Sequence, residues 1–327
     1  MDFCSYNYKK EKMQKILPKS SLKEFLINLS KNYEVIIPIK DKNTKFAPLT
    51  KDNIDKLYLD TITEVPLKKI FLPENEILLE FNKDKITQAL PNKKQTVVFG
   101  LRKCDLNALL VLDKIMLDPN YIIKRKNTIL IGLFCENEDK YCFCNSMELV
   151  DYYDLFFYGQ KDNYYISYNQ KAEKLVEKMP FTTKEVILKE KNTKILENKN
   201  IGLDYNNDIW KTETNKCLSC SACTVMCPTC NCFDIKDKSN LNNTKGQRIR
   251  CQASCQLKSF SRVAGGKSFR NSRLSRFKHF VYHKIDYFKK QHNVYMCVGC
   301  GRCLRVCPTH IDWINTINLL NDSKALK

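Results

Sequence analysis

The chain has 327 residues, 43% of them hydrophobic, with 17 cysteines and a formal net charge of +19 from 55 basic against 36 acidic residues. That leaves room for one large or two ordinary domains around a packed core. It excludes a membrane-spanning chain, since no stretch approaches the roughly 20 apolar residues of a span, and a small disulfide-stapled secreted fold, since the start MDFCSYNYKKEKMQKIL has no apolar h-region or cleavage site. Cysteine-rich and without a leader, it reads as a cytoplasmic protein whose thiols bind metal in a reducing compartment.

The first two hundred residues alternate between helical and extended patterns. Ser20 or Ser21 caps a helix through LKEFLINLSKN, with Leu22, Phe25, Leu26 and Leu29 on one face. VIIPIK (35–40) follows as a strand, and Pro38 argues for an edge position. Residues 70–81 mix an extended segment with a turn. QTVVFG (95–100) is a buried strand ending in glycine, Asp105 caps a helix through LNALLVLDKIM, and NTILIGLFC (127–135) is a second buried strand, so this stretch reads as a crossover unit. Residues 154–169 predict a hairpin and 170–179 a short amphipathic helix. The lysine-rich stretch 182–210 links the halves.

From about residue 211 the composition changes. Cys217-x2-Cys220-x2-Cys223-x3-Cys227-Pro228 is matched by Cys297-x2-Cys300-x2-Cys303-x3-Cys307-Pro308. This is the bacterial ferredoxin spacing, twice, with both prolines in place. In that arrangement the fourth cysteine of each run ligates the other cluster. One [4Fe–4S] cluster is therefore expected on Cys217, Cys220, Cys223 and Cys307, and a second on Cys297, Cys300, Cys303 and Cys227. Zinc sites do not need this spacing. The expected architecture is an N-terminal α/β domain (1–205) followed by a mainly helical, dicluster ferredoxin-like domain (206–327), with about seventy residues inserted between the runs.

The insertion is rich in arginine and lysine. Its latter part, SRLSRFKHFVYHKIDYFKKQ, predicts a basic helix with Phe277, Phe280, Val281, Ile285 and Phe288 on one face. That stripe reads first as core-facing with a solvated basic face, and second as part of a docking surface for an acidic redox partner. The positive charge also raises nucleic acid as a partner. However, lysine is spread along the chain, no nucleic-acid motif is visible, and two oxidised clusters remove roughly four charges. Neither nucleic acid nor membrane is an expected partner.

Nine cysteines lie outside the runs. Cys104 and Cys135 end consecutive predicted strands, and Cys142 and Cys144 follow in a short loop. If those strands are neighbours, the four thiols meet at the mouth of the sheet, where they are candidate ligands of a further cluster. Cys230, Cys232 and Cys255 are weaker candidates for such a site or simply pack beneath the clusters. Cys4 and Cys251 read as small buried hydrophobes. The C-x3-C at 251–255 does not make a sirohaem site, because its partner cysteines belong to the ferredoxin spacing. There is no GxGxxG, P-loop, GxSxG or HExxH, and only nine glycines, so neither a flavin nor a catalytic residue is expected in this chain. Gly265-Gly266 reads as a tight turn, and His279 and His283 as structural.

The segments GLRKCDLNALLVLDK, YCFCNSME, CLSCSACTVMCPTCNCFD, GQRIR…ASC…AGGKSFR and MCVGCGRCLRVCPTHI occur in that order over roughly residues 95–320. Together they resemble the iron–sulfur electron-transfer subunit of anaerobic sulfite reductase. Somewhat less closely, they are similar to the iron–sulfur beta subunit of cytosolic NAD(P)-linked [NiFe] hydrogenases, the sulfhydrogenases. The resemblance implies the eight run cysteines as cluster ligands. It also implies importance for Cys104, Cys135, Cys142, Cys144, Cys230, Cys232 and Cys255. Its further implication is a relay of electrons from an FAD-containing, NADH-oxidising flavoprotein subunit to a sirohaem subunit that reduces sulfite, or, in the hydrogenase alternative, to or from a [NiFe] partner. Ser221 stands where the family usually has glycine.

Overall fold

Three runs of large apolar residues without alternation, Val35–Ile39, Val97–Leu101 and Ile129–Leu133, have the character of strands covered on both faces. The computed structural model describes residues 8–325 apart from 13, 84, 93, 190–193, 198, 202–204 and 243, and in it these runs form the centre of a sheet. In chain order the described strands are β1 (Tyr8–Lys12), β2 (Lys15–Pro18), β3 (Glu34–Lys40), β4 (Thr44–Pro48), β5 (Asn75–Asn82), β6 (Lys85–Gln88), β7 (Thr96–Leu101), β8 (Thr128–Leu133), β9 (Leu155–Gln160), β10 (Asn163–Tyr168), β11 (Glu185–Lys189), β12 (Phe233–Ser239) and β13 (Lys245–Gln252). Seven of them make one sheet in the order β2–β10–β9–β8–β7–β3–β4. Its four central strands run parallel, and β4, β10 and β2 are antiparallel additions.

The expected crossover is present: helix Lys103–Ile115 connects β7 to its parallel neighbour β8, followed by helix Pro119–Lys126. Leu106, Leu109 and Leu112 bury against Val98, Leu130 and Phe156 on one face of the sheet. Leu22, Leu26 and Leu29 of helix Leu22–Ser30 bury against Ile37, Phe99, Ile131 and Phe157 on the other. The predicted hairpin is β9–β10, turning at Lys161 with φ +51°.

Two expectations fail in detail. Pro38 is not on an edge strand: β3 lies between β7 and β4. The proline is tolerated because β3 pairs with β7 only over Glu34–Ile36, so no β7 carbonyl is left without its N–H. Beyond that point the pyrrolidine ring fills the space over Gly100, where a Cβ would lie 2.8 Å from the ring's Cγ. Asp105 is not a helix cap. The N-cap position is Arg102, and the Asp105 carboxylate turns away to a partner far along the chain.

A four-stranded sheet, β12–β13–β5–β6, takes two strands from each side of residue 205. A buried ion-pair group ties it to the main sheet's helices. Arg250 reaches Asp118 at 2.8 Å and also Glu76, which in turn accepts Lys124 Nζ at 2.5 Å. The C-terminal core forms where helix Arg273–Tyr282 lays Phe277, Phe280 and Val281, and the turn after it Ile285, against Trp210, Trp313, Ile314 and Ile317. The apolar stripe therefore faces the core. The helix then widens into a π turn at His283–Tyr287 before continuing through Phe288–His292. Gly265 and Gly266 form the expected turn, both with positive φ.

Candidate iron–sulfur centre

Each run folds as the same small loop. The residues flanking the second cysteine adopt left-handed conformations: Ser219 (φ +55°) and Ser221 (+69°) in the first run, Gly299 (+66°) and Gly301 (+68°) in the second. This geometry aims backbone N–H groups at sulfur. Ser219 N donates to Cys217 Sγ at 3.4 Å, and Gly299 N donates to Cys297 Sγ at 3.5 Å. The Trp313 indole N–H donates to Cys303 Sγ and the Ile311 N–H to Cys307 Sγ, both at 3.4 Å. Such donors are the outer contacts that tune a thiolate-bound centre.

Cys217, Cys220, Cys223 and Cys307, with Cys303 also on the wall, line a single cavity together with Phe277, Phe280, Ile311 and Trp313, so the end of the second run meets the first three cysteines of the first run. Inside it lies the Ser221 hydroxyl, buried and without a hydrogen-bond partner. A lone hydroxyl in an apolar pocket is costly, and a cluster sulfide is the acceptor it lacks. The donor set and this unmatched hydroxyl fit a [4Fe–4S] cluster.

Cys227 is tied to the second run through Lys284. Lys284 Nζ lies 3.1 Å from Cys227 Sγ and 3.2 Å from Cys230 Sγ, and the Lys284 carbonyl accepts the N–H of Cys297 at 3.3 Å. Burial lowers the pKa of the Lys284 ammonium, but Cys227, Cys230 and Cys297 outweigh it and hold the net shift well upward. Burial raises the thiol pKa of Cys223, Cys297 and Cys303, that of Cys297 to about 12. In contrast, a hydrogen bond from Cys230, with Lys284 and Lys68 behind it, pulls Cys227 well down. Buried thiols of this kind become thiolates only where a metal or a cation stabilises the charge. Lys68, also buried, donates to the carbonyls of Thr224 (3.0 Å) and Cys230 (2.8 Å) and so ties the N-terminal half to the first run.

Among the described residues Lys284 makes contact with no carboxylate. Its charge is therefore balanced by sulfur, and removing it disfavours the state that has gained an electron. At about 5 Å and an effective dielectric near 20, one charge is worth roughly 3 kcal/mol, so Lys284→Met is expected to move the nearer midpoint potential negative by on the order of 100 mV. Lys284→Arg should keep it close to wild type. An EPR-monitored redox titration reads both, and an unshifted Lys284→Met would remove Lys284 from the account.

The other cysteines divide. Cys104, Cys142 and Cys300 share one buried cluster with Cys144 packed against it, and the Cys142 thiol points at the Cys300 carbonyl at 3.6 Å. Cys135, two residues past the end of β8, is half-buried with Sγ 3.5 Å from the Asn137 carbonyl. The predicted convergence at the sheet mouth thus brings Cys104, Cys142 and Cys144 beside the second run, with Cys135 at its margin. No three metal-ligating side chains among the described residues converge on one point as for a single ion. Cys232 and Cys255 are paired by a hydrogen bond that lowers Cys232 to about 6. Cys251 lies on β13 and Cys4 lies outside the described residues.

The loop carrying Tyr141–Cys144 lies directly on the second run. Phe143 N donates to the Gly299 carbonyl at 2.8 Å, and Arg305 pairs with Asp139. Deeper, the fully buried Arg302, between two run cysteines, donates to Asp105 at 2.8 Å and to the Thr63 carbonyl at 2.7 Å. Lys284, Lys68, Arg302 and the Ser221 hydroxyl were not anticipated as site residues. Ser221 shows in the sequence only as a departure from the usual glycine, whereas Lys284 stands four residues from both Phe280 and Phe288, on the helix's apolar face.

Residues 216–311 match the 4Fe–4S dicluster domain family, which defines an iron–sulfur protein built for two [4Fe–4S] clusters. The beta subunit of sulfhydrogenase 2 from Pyrococcus furiosus is 31% identical over 327 residues, a similarity covering 90% of this chain and 94% of that subunit. The chain belongs to the sulfhydrogenase beta-subunit family. It is an iron–sulfur electron-transfer subunit of an oxidoreductase complex. No solved structure matches it, and no helix among the described residues is long and apolar enough to cross a membrane.

Proposed function

We propose that the chain is the electron-relaying beta subunit of a sulfhydrogenase-type complex, placed between a nicotinamide-oxidising flavoprotein subunit and a [NiFe] catalytic subunit. In this reading residues 1–205 form the α/β unit and 206–327 the dicluster unit. Similarity along nine-tenths of the chain supports the hydrogenase assignment over the sulfite reductase one, for which no structural feature speaks separately. The observation that carries the relay is the cavity in which Cys307 joins Cys217, Cys220 and Cys223 across some eighty residues.

When bound, a [4Fe–4S] cluster supplies one-electron transfer without bond rearrangement. The chain's own residues do the rest. Cys217, Cys220, Cys223 and Cys307 hold one cluster, and Cys297, Cys300, Cys303 and Cys227 hold the other. The left-handed loops orient N–H donors, Phe277, Phe280 and Trp313 exclude water, and Lys284 balances charge. Cys104, Cys135, Cys142 and Cys144 are proposed as ligands of a third cluster, supported by their gathering beside Cys300. Cys230, Cys232 and Cys255 line the far side of Cys227 and are the weaker alternative.

Iron and acid-labile sulfide measured anaerobically test this. About eight irons per chain are expected for two clusters and about twelve if the N-terminal thiols hold a third. Cys220→Ser should lose or convert one cluster and stop nicotinamide-linked turnover of the complex, while viologen-linked activity of the catalytic subunit persists. Full nicotinamide-linked turnover in that variant would end the relay reading.

A further inference from the structure

Cys220 is the exposed member of the first run; its fellow ligands are buried or half-buried. Around it the surface has an unusual make-up. Leu218, Leu257, Val263 and Phe269 are large apolar side chains between 43% and 68% exposed. From Lys238 to Ile285 the chain holds twelve lysines and arginines and not one carboxylate. Hydrogen bonds tie this stretch to the cluster mouth. Arg276 donates to Ser219 Oγ at 3.3 Å, to the Gln256 carbonyl at 2.8 Å and to the Asn271 carbonyl at 2.7 Å, so the segments around 219, 256 and 271 are stitched side by side. Lys258, Arg262, Lys267 and Arg273 project from it exposed, and none forms a salt bridge among the described residues.

An apolar centre with a charged rim is the anatomy of a transient protein interface. Four uncompensated cations beside an accessible cluster ligand are the means of steering an oppositely charged carrier to it. Phosphate recognition would have no use for the exposed leucines, valine and phenylalanine, which favours protein over nucleic acid. We propose that this face is the electron port of the subunit: a docking surface, centred on Leu218–Cys220 and rimmed by Lys258, Arg262, Lys267 and Arg273, for an acidic protein carrying a one-electron centre. The transfer balances simply: the carrier is oxidised by one electron, the cluster on Cys217, Cys220, Cys223 and Cys307 is reduced by one, and no proton or bond is exchanged. The proposal rests on the relay reading above and adds where the partner sits and what charge it bears.

Reduced plant-type [2Fe–2S] ferredoxin, an acidic one-electron donor, is the probe, mixed in stopped flow with the full chain carrying its clusters. The wild-type second-order rate constant should fall at least about tenfold as salt rises from about 0.05 to 0.5 M. Arg262→Glu with Lys267→Glu should slow it about as much at low salt, while reduction by methyl viologen radical and the iron content stay unchanged. Both side chains are exposed, on either side of the Gly265–Gly266 turn, so the fold is not at stake. Lys258→Glu with Arg273→Glu provides an independent pair and should act in the same direction. Salt-independent transfer, or wild-type rates in both charge-reversed proteins, would overturn the proposal. Tight binding of a DNA duplex with ferredoxin transfer indifferent to the reversals would reassign the face to nucleic acid and overturn it equally. A wild-type chain with no reducible iron would instead sink the relay reading itself.

Discussion

Arg302→Met is expected to be among the most damaging single substitutions in this chain, costing about 3–5 kcal/mol. The Arg302 and Asp105 side chains are 0% and 1% exposed and lie 2.8 Å apart, and the second carboxylate oxygen of Asp105 has no partner of its own. Removing the guanidinium strands a buried carboxylate and also frees the Thr63 carbonyl it holds. Because Arg302 sits between Cys300 and Cys303, the damage should be read in the second run: a lower thermal midpoint and faster iron release to a chelator. The control is the double variant Arg302→Met with Asp105→Leu. Replacing both members of a buried pair is often near neutral, so the double variant should recover much of the loss. Equal stability of single and double variants would mean that the pair contributes shape and not charge balance.

The same pair shows where sequence reading stops. Asp105 at the start of a helix carries the local signature of a cap, but its partner is 197 residues away. Nothing within a window of the chain distinguishes a carboxylate that caps from one that crosses to another element. Pro38 fails for a related reason: a missing N–H bars a strand from the interior only where the neighbour it faces needs it, and β7 has already diverged at that point. Local information did suffice where chemistry imposes spacing or period. The two cysteine runs, the apolar stripe from Phe277 to Phe288, the crossover from β7 to β8 and the β9–β10 hairpin were all readable, because each depends on neighbours within a few tens of residues. Strand β5 reads only as extended segment and turn, and β6 lies beyond that reading. β6 pairs with its neighbour β5, but the other partner of β5, strand β13, lies more than 160 residues on, so the sheet they join is invisible to any local pattern.

The electrostatic half of the site was legible only in fragments. A net charge of +19 says nothing about which cation is buried. Lys284 is set apart from the other lysines by its register on an apolar helix face and by the π turn that begins at His283. Such an insertion turns side chains out of a regular helix's register and is often found at functional positions. Here it carries an ammonium to the sulfur of Cys227, a residue 57 positions earlier.

Gly299→Ala should break the centre from the other side. Two separate penalties meet at this residue. Its φ of +66° disfavours any L side chain by about 1–2 kcal/mol. In addition, a Cβ would lie 2.5 Å from Cys144 Cα and 2.6 Å from Cys144 N, backbone atoms that cannot swing aside. Pushing the loop away costs a further 1–3 kcal/mol or so and disturbs the hydrogen bond from Phe143 to the Gly299 carbonyl. The expected result is loss of the second cluster, about four irons fewer per chain than wild type, with the thermal midpoint lowered. Gly265→Ala separates the two penalties, because Gly265 has φ +76° and nothing within 4 Å of its missing side chain. It should show the backbone strain alone and keep all its iron. If Gly299→Ala behaved no worse than Gly265→Ala, the close seating of the Tyr141–Cys144 loop on the second run would be wrong. The thiols of Cys142 and Cys144 would then be detached from the cluster they are placed beside.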